Sequence, residues 1–351
     1  MKKYLAASKE RTSAYLGRFF AAKERELAPI GPRAAAVARD IHEFCTRGKM
    51  IRAAMTLLGW EAAGGTPGDA VVPVAAAMEM VHAGLLIHDD VMDRDDFRRG
   101  KPAFHRRYAD ALKTDTKEPR HTGEALAICA GDVAFFLASE SVMAAAIPEP
   151  HGAAMRRTFF RECVLVGVGQ MDDVYLGARL APVSVADILP VYRYKTARYT
   201  FSMPLILGAI AAGGDAKIRD GLDAVGEKIG TLFQIKDDEL GLFGEEADIG
   251  KPTGSDIREG KKTILFSLLA EMAQGKEREQ LMKTLGNPAI GPDDITFVRE
   301  LAEKSGALGE VRTQAAAIDR ESRELIAALT AGTEVKRLLN ELIDYNRDRG
   351  F

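Results

Sequence analysis

Apolar residues recur every three or four positions along most of this chain of 351 residues. One clear example consists of Val74, Ala77, Met78, Val81 and Leu85. This spacing places side chains on one face of an α-helix. Runs that alternate apolar with polar residues and are rich in β-branched or aromatic side chains are nearly absent, so strands are not predicted. The spacing therefore predicts an all-α fold.

Clusters of Gly, Pro and polar residues divide the chain into mostly helix-length segments. They lie at residues 64–73, 114–123, 147–152, 182–184, 213–215, 244–260 and 286–292. Such residues favour turns and loops. Because the connections are mostly short and no clear linker separates two halves, we predict one large helical bundle that forms a single domain over residues 1–351. The segment 244–260 is long enough to be a functional loop.

The charge balance argues against a nucleic-acid-binding protein. The chain has 48 Lys and Arg against 51 Asp and Glu, which gives a formal net charge of −3. Proteins that bind duplex nucleic acid usually carry a basic surface. No nucleic-acid partner is therefore expected.

Apolar runs are too short to predict a membrane-spanning helix. A span needs about 18 to 20 apolar residues, and the longest candidate, residues 201–214, is interrupted by Ser202, Pro204 and glycines. The first twenty residues lack the continuous apolar stretch of a secretory signal. We therefore expect a cytoplasmic protein with no transmembrane segment. Its three cysteines form no C-x-x-C pair and are expected to be reduced.

An acidic group stands near the end of an apolar helical segment. Asp89, Asp90 and Asp93 form a D-D-x-x-D pattern, and on a helix Asp89 and Asp93 lie about 40° apart on one face. Two such carboxylates repel each other unless a cation lies between them. Mg²⁺ is suited to this role, because it usually binds one or two carboxylates plus water and substrate phosphate. A lone D-D-x-x-D group is also compatible with a solvated helix end.

Basic residues follow this group and also a second acidic pair. Arg98 and Arg99 follow the first group, and guanidinium groups suit diphosphate oxygens, although both could instead form surface salt bridges with the acidic run. The second pair, Asp237 and Asp238, is followed by Lys251, Lys261 and Lys262. Two acidic pairs, each followed by cations and loop glycines, predict a substrate with two phosphates and several metal ions.

Several separated motifs stand in order between residues 48 and 263. They are G-K-x-x-R at Gly48, Lys49 and Arg52, D-D-x-x-D with R-R-G-x-P-x-x-H from Asp89 to His105, G-Q-x-x-D at Gly169, Gln170 and Asp173, K-T at Lys195 and Thr196, and F-Q-x-x-D-D at Phe233, Gln234, Asp237 and Asp238. With them the sequence resembles the trans-isoprenyl diphosphate synthases of the polyprenyl synthetase family. The resemblance implies a helical bundle of the isoprenoid synthase type with a central apolar cavity, and a homodimer. It also implies Mg²⁺-dependent condensation of isopentenyl diphosphate with an allylic diphosphate.

The resemblance implies roles for individual residues. The diphosphate of isopentenyl diphosphate would be bound by Lys49, Arg52, His82 and Arg99. Two or three magnesium ions would be bound by Asp89, Asp90, Asp93, Asp237 and Asp238, with Asp237 across the cavity from the first cluster. The allylic diphosphate would be contacted by Arg98, Gln170, Asp173, Lys195 and Lys251. Catalytic positions beside the reacting carbons would be held by Lys195, Thr196 and Gln234.

One position departs from the family pattern. The second acidic cluster continues from Asp238 through Glu239 to Gly241, so a glycine stands where the family usually has a final Asp. The third carboxylate of that cluster is therefore missing from its usual place. Glu239 does not occupy the equivalent position and is not assigned as a ligand.

Product length is expected to depend on side chains one to three helical turns before Asp89. In the family, a bulky aromatic residue four or five places before the first Asp stops growth early, and here those places hold Leu85 and Gly84. Met78 and Val81 share a helix face with Leu85, and Met78 is the candidate for a later stop. We expect geranylgeranyl diphosphate (20 carbons) or a longer product.

Three alternatives stay open from the sequence. Adjacent His88 and Asp89, with His42 and His82 upstream, are compatible with a metal-dependent phosphohydrolase of the HD type, although the second acidic cluster then has no role. A terpene cyclase would share the first motif and the helical fold but should carry an N-S-E-type second site. A regulatory subunit that has lost catalysis usually lacks the aspartates or the basic element, which are present here.

Overall fold

The computed structural model describes residues 1–66, 68, 70–98, 100–244 and 253–348. They belong to two compact units, each built from two separate parts of the chain. The first unit comprises Met1–Phe160 and Pro204–Asp220, and the second comprises Arg161–Met203 and the residues from 221 onward.

The first unit is arranged around one apolar helix, α4. Its elements up to residue 143 are α1 (Lys2–Leu27), a 3₁₀ turn (Ala28–Ile30), α2 (Pro32–Thr46), α3 (Ile51–Ala62), α4 (Val72–Met92), strands β1 (Phe97–Arg98) and β2 (Lys101–Pro102), α5 (Phe104–Ala111) and α6 (Pro119–Met143). The strands pair as a short antiparallel hairpin directly after α4. Helices α1, α2, α3, α5 and α6 all contact α4. Most residues of α4 are buried as a result.

The middle of the chain supplies helices to both units. These elements are α7 (His151–Gly177), α8 (Val185–Val191), a π-helix (Tyr192–Ser202), α9 (Met203–Ala211) and α10 (Ala216–Phe243). Helices α7, α9 and α10 each have residues in both units. The prediction of one domain over the whole chain is not decided by this division and stays a prediction.

The second unit has its core among the later helices. They are α11 (Ser255–Glu259), α12 (Ile264–Met272), α13 (Gly275–Thr284), α14 (Pro292–Lys304), α15 (Ala307–Ala328) and α16 (Thr333–Arg347). Leu269 of α12, Val298 and Ala302 of α14 and Ala307 of α15 are fully buried in one apolar cluster. Part of the predicted loop 244–260 is helical, namely Ser255–Glu259. Residues 245–252 of that loop lie outside the described residues.

A buried carboxylate fixes the start of α3 against α4. Glu79 of α4 is 3% exposed, and its Oε1 accepts a hydrogen bond from the backbone N–H of Ala53 at 2.8 Å. The first N–H groups of a helix have no partner within the helix, so this bond satisfies one of them. Arg52, which precedes Ala53, is thereby held in the first turn of α3.

Two glycines let α3 and α9 approach each other closely. A Cβ atom on Gly59 would lie 2.0 Å from the carbonyl oxygen of Leu205, and one on Gly208 would lie 2.0 Å from the carbonyl oxygen of Thr56. Both obstacles are backbone atoms, which cannot move aside as a flexible side chain can. Any larger residue at either position would therefore force the two helices apart.

Helix α6 is long and apolar enough to cross a membrane, judged by length and composition alone. The most apolar stretch of this helix has a mean hydropathy of 1.6, and 44% of that stretch is buried. Asp132 and Glu140 interrupt its apolar residues, so no continuous run marks it in the sequence. A core helix of a soluble protein passes the same test, and one such helix is weak evidence for a membrane span.

The prediction of an all-α fold is confirmed. Apart from the hairpin of β1 and β2, the regular elements of the described residues are helices. The segment 201–214, the apolar run noted in the sequence, contains α9, and Leu205, Leu207 and Ala209 of that helix are fully buried.

Candidate active site

The first acidic cluster lies at the C-terminal end of α4. Asp89 is in the last turn, and the backbone N–H of Asp93 donates to the carbonyl oxygen of Asp89 at 2.8 Å, so both residues belong to one helical turn. Both side chains are partly exposed. The two carboxylates therefore belong to one turn of helix, as the spacing predicts.

Asp90 differs from its two neighbours because it is fully buried. Arg98 Nε donates to Asp90 Oδ1 at 2.6 Å, and Arg98 Nη2 lies 3.4 Å from Asp95 Oδ2 and 3.7 Å from Asp89 Oδ2. Burial raises the pKa of Asp90 to about 6, against the opposing effect of Arg98. In this structure Arg98 thus bridges the acidic residues, and its predicted contact with an allylic diphosphate stays a prediction.

The donor atoms of this cluster fit a magnesium ion that is completed by substrate. Asp89 and Asp93 offer carboxylate oxygens, which Mg²⁺ prefers, and it commonly takes its remaining ligands from water and phosphate. Within the part of the chain that the structure describes, no group of three or more His, Cys, Asp or Glu side chains is arranged to hold a metal by itself. Asp90, which is buried against Arg98, is poorly placed to be a direct ligand.

The residues predicted to bind isopentenyl diphosphate lie on α3 and α4 or just before them. Lys49 is exposed immediately before α3, and Arg52 is buried in its first turn. Met50, between them, has a left-handed backbone with φ of 51°. His82 is partly exposed on α4. Arg99, the fourth predicted residue, lies outside the described residues.

Two of the three histidines invoked for an HD-type phosphohydrolase, His42 and His88, contact other groups. The His42 ring stacks on Phe20, with ring centroids 5.2 Å apart. His88 Nε2 is 2.9 Å from the carbonyl oxygen of Ile128, within hydrogen-bonding distance. This arrangement does not assemble a histidine and aspartate metal centre around Asp89.

In the second unit, Lys195 and Thr196 lie on the π-helix. Such helices are rare and occur often at functional sites. Glycines on the neighbouring helices let this segment pack closely: a Cβ on Gly169 of α7 would lie 2.7 Å from the backbone nitrogen of Lys195, and one on Gly230 of α10 would lie 2.3 Å from the Cα of Ala197. The two residues of the K-T pair are thus held between α7 and α10.

A chain of hydrogen bonds links Thr196 to the second acidic pair. The Thr196 hydroxyl donates to Gln234 Oε1 at 2.7 Å, and Gln234 Nε2 donates to Asp238 Oδ1 at 2.7 Å. The Tyr192 hydroxyl donates to Asp238 Oδ2 and accepts from the backbone N–H of Ile264 at 3.1 Å. Sequence inspection missed Tyr192, which lies 46 positions from Asp238 in a segment without a distinguishing signal.

These bonds give the two aspartates of the second pair different surroundings. Both Asp238 oxygens accept hydrogen bonds from protein groups. Asp237, one position earlier on α10, is partly exposed, as Asp238 is. Burial raises the pKa of Asp238 to about 8, and repulsion from Asp256 and Asp237 adds to this effect. The hydrogen bonds on both of its oxygens make Asp238 a poor direct metal ligand, and the metal-binding role of Asp237 stays a prediction.

The predicted contacts of the allylic diphosphate are partly brought together. Lys195 Nζ donates to Asp173 Oδ2 of α7 at 2.5 Å, and Gln170 lies one helical turn before Asp173 on α7. Both ends of the Lys195–Asp173 pair are about one-fifth exposed. Lys251 lies outside the described residues. Because the first acidic cluster and Asp237 belong to different units, the prediction that they face each other across a cavity stays a prediction.

The space beside Gly241 is filled by another carboxylate. A Cβ on Gly241 would lie 2.5 Å from Oδ2 of Asp256, which belongs to α11. Lys261 Nζ lies 3.6 Å from Asp256 Oδ1. Glu239, by contrast, binds Arg312, whose Nη2 donates to Glu239 Oε1 at 2.6 Å. Asp256 thus places a carboxylate beside Gly241, the position that departs from the family pattern. The sequence did not indicate this residue within the segment 244–260.

Restoring the family residue with Gly241→Asp is expected to destabilise the protein by about 1–3 kcal/mol, the usual cost of overpacking. The new side chain would collide with Asp256 and place two carboxylates side by side. Urea denaturation measures the effect. Gly309→Asp is the matched control, because Gly309 is exposed on α15 with open space around its Cβ position. The double variant with Asp256→Ser should recover most of the loss, and a Gly241→Asp protein as stable as wild type would contradict the prediction.

The residues predicted to set product length lie at different depths along α4. Met78 and Val81 are fully buried, with exposures of 0% and 2%, whereas Leu85 is partly exposed. Gly84 is buried and lies against α6, where a Cβ would be 2.8 Å from Phe135 Cε1. The partly exposed residues on the Asp89 side of α4 therefore include Leu86, Leu85 and His82, whereas Val81 and Met78 are buried.

Comparison with known proteins agrees with the motifs. The family model for polyprenyl synthetase matches residues 35–301. The short chain isoprenyl diphosphate synthase of Methanothermobacter thermautotrophicus is 39% identical over 246 residues, which is 70% of each chain. The geranylfarnesyl diphosphate synthase of Aeropyrum pernix is 32% identical over 315 residues, which cover 88% of this chain and 93% of the relative.

A solved structure is similar over nearly the full length. The geranylgeranyl pyrophosphate synthase from Corynebacterium glutamicum, complexed with isoprenyl diphosphate and magnesium, has a TM-score of 0.92 and 31% identity, with 99% of both chains covered. The names of these similar proteins refer to products of different length, so they do not fix the product of this chain. They agree on the kind of enzyme and on the isoprenoid synthase fold. The chain belongs to the polyprenyl synthetase family and is a trans-prenyltransferase.

Proposed function

We propose that this trans-prenyltransferase condenses isopentenyl diphosphate with an allylic diphosphate and releases geranylgeranyl diphosphate or a longer polyprenyl diphosphate. The observation that carries the proposal is the arrangement of the K-T pair: Lys195 is bonded to Asp173, and Thr196 is linked through Gln234 to the acidic pair on α10. The partly exposed carboxylates of Asp89 and Asp93, which lie on one helical turn, support it independently.

The proposed reaction separates charge, and the residues act on that charge. The allylic carbon–oxygen bond breaks with its electron pair on the departing diphosphate, the alkene of isopentenyl diphosphate forms the new carbon–carbon bond, and a proton is then lost. The ammonium of Lys195 would stabilise the negative charge that develops. Thr196 and Gln234 are oriented by their mutual hydrogen bond before substrate binds, which reduces the cost of positioning the reacting carbons.

Divalent metal has a defined place in this proposal. The carboxylates of Asp89, Asp93 and Asp237 would hold two or three magnesium ions, which when bound supply Lewis-acid stabilisation of the leaving diphosphate. Asp90 and Asp238 accept hydrogen bonds from protein side chains and would orient the neighbouring ligands.

Incubation with radiolabelled isopentenyl diphosphate, Mg²⁺ and each allylic primer tests the proposal, with dephosphorylated products sized by chromatography. The expected result is a ladder that ends at geranylgeranyl diphosphate or beyond and disappears when Mg²⁺ is chelated. Farnesyl diphosphate as the final product would overturn the proposed length. If folded protein makes no prenyl product, the result would instead favour a partner-dependent subunit or a cyclase.

We also propose that the enzyme is a homodimer. Val164, Val168, Met171 and Tyr175 are 50% to 71% exposed and share one face of α7 by their spacing of three and four residues. An exposed apolar stripe of this kind is typical of a protein interface.

The expected mass in sedimentation velocity is twice that of the 38.1 kDa chain. Met171→Glu places a charge at the middle of the stripe and should shift the protein to monomers. Leu180→Glu is a matched control, because Leu180 is 95% exposed and lies beyond the end of α7, outside the stripe. A wild-type monomer at micromolar concentration would contradict the proposal.

A further inference from the structure

The segment that carries Lys49 is held by a residue of the first helix. Residues 47–50 connect α2 to α3, and the ammonium of Lys9 on α1 donates to the carbonyl oxygen of Gly48 at 2.8 Å. A hydrogen bond from a charged donor is stronger than one between neutral groups. The backbone directly before Lys49 is therefore fixed by a side chain that lies 39 positions from Gly48 in the sequence.

A second charged side chain holds the other end of the G-K-x-x-R element. Glu79 of α4 accepts a hydrogen bond from the backbone N–H of Ala53 at 2.8 Å, directly after Arg52. Glu79 is 3% exposed, and its neighbours Met78 and Met80 are fully buried. Burying a carboxylate is costly, and an apolar residue would pack in such a core at lower cost. The buried carboxylate therefore indicates a positional role at the start of α3, where helix N–H groups attract negative charge.

The backbone between these two contacts has an unusual conformation. Met50 is left-handed, with φ of 51° and ψ of 48°, a conformation that residues other than glycine rarely adopt. Such strain persists only where the surrounding structure holds it. The Met50 side chain is 2% exposed, and the Ser13 hydroxyl of α1 lies 3.7 Å from its sulfur. The strained turn thus leaves Lys49 exposed beside a buried neighbour, and contacts from α1 and α4 hold it in place.

We propose that Lys9 and Glu79 are positioning residues for isopentenyl diphosphate. The inference rests on the proposed function and on the implied binding of this diphosphate by Lys49 and Arg52, on which the two residues act through the backbone. A preformed arrangement of the two cations reduces the cost of ordering them when the substrate binds. Loss of either contact therefore weakens the binding of isopentenyl diphosphate. The residues assigned to the allylic diphosphate lie outside this element and keep their places.

Steady-state kinetics of Lys9→Met test this assignment, with the concentration of each substrate varied in turn. The variant keeps a long flexible side chain but cannot donate to Gly48. We expect KM for isopentenyl diphosphate to rise about 5- to 10-fold, with kcat and the KM for geranyl diphosphate within about twofold of wild type. A purely structural role would lower the amount of active enzyme, and thus the apparent kcat, without changing either KM.

Lys3→Met is the matched control, because it removes the same charge from an exposed position of α1. Its KM values should equal those of wild type. At the other contact, Glu79→Gln keeps an acceptor for the Ala53 N–H. It should therefore raise KM for isopentenyl diphosphate less than Glu79→Leu does.

A folded Lys9→Met enzyme with the wild-type KM for isopentenyl diphosphate would overturn the inference. An equal rise in the KM values of both substrates, or the same rise in Lys3→Met, would also overturn it. Equal KM values for the Gln and Leu variants at position 79 would remove Glu79 from the assignment. A wild-type protein that makes no prenyl product overturns the proposed function itself, which is a distinguishable result.

Discussion

Replacing Asp89 with Asn is expected to lower kcat/KM by about 10²–10³-fold, the usual loss when one element of preorganised charge stabilisation is removed. The substitution preserves the shape of the side chain but removes the negative charge that would hold a divalent cation. Steady-state kinetics with isopentenyl diphosphate and an allylic primer measure the effect. Thermal unfolding supplies a second readout, because Mg²⁺ together with inorganic diphosphate should raise the Tm of wild type but not of the variant.

Asp95→Asn is the matched control for this experiment. The side chains of Asp89 and Asp95 are equally exposed, at 16%, and both lie within 4 Å of Arg98. Asp95 is outside the proposed metal pair, so its variant should keep most of the activity and the Mg²⁺-dependent shift in Tm. An Asp89→Asn enzyme that retains a third or more of the wild-type kcat/KM would show that Asp89 is not a metal ligand in the reaction.

Arg198→Met is expected to lower the free energy of unfolding by about 3 kcal/mol, because it leaves the buried carboxylate of Glu162 without its main cation. Arg198 is 7% exposed and Glu162 is 1% exposed. Arg198 Nε and Nη2 each donate to Glu162 at 2.9 Å, and Nη1 binds Glu227 and lies 3.2 Å from Asp223. Glu162 keeps a second contact with Arg161 at 2.9 Å, which places the expected loss at the lower end of the range for buried pairs.

Urea denaturation measures this loss, with Arg337→Met as the control. Arg337 also contacts two carboxylates, Glu334 and Glu341, but at an exposed site, where ion pairs contribute about 0–1 kcal/mol. Arg198→Lys keeps the charge but not the two parallel hydrogen bonds, so an intermediate loss is expected. Equal effects of the two Arg→Met substitutions would contradict the importance assigned to burial.

Helix period and motif order were sufficient to predict the fold class and the family. The three-to-four spacing around Met78 and Val81 depends only on which residues face a core, and that information is local. The pairing of Asp89 with Asp93 is local as well, since helix geometry fixes it. Asp90 could have been separated from them on the same basis, because a residue one position along a helix is turned by about 100°.

The rest of the site depends on contacts between distant parts of the chain. Nothing in the sequence pattern indicates that Tyr192 bonds to Asp238, that Asp256 fills the space beside Gly241, or that Phe135 covers Gly84. Each contact follows from how helices pack, and glycine at 84 or 241 could equally have left open space. Arg99 and Lys251 lie outside the described residues, so the roles implied for them stay predictions.

The hydrogen-bonded chain from Ile264 to Thr196 has a consequence for local motion. The Ile264 amide at the start of α12 donates to a side chain, the Tyr192 hydroxyl, rather than to the backbone of its own helix. Exchange of this amide with deuterium in the solvent therefore requires that its hydrogen bond to Tyr192 opens. A slow exchange rate at Ile264 would report that the Tyr192 hydroxyl, which also donates to Asp238, stays in place. One backbone amide can therefore monitor this edge of the second acidic cluster without any substrate.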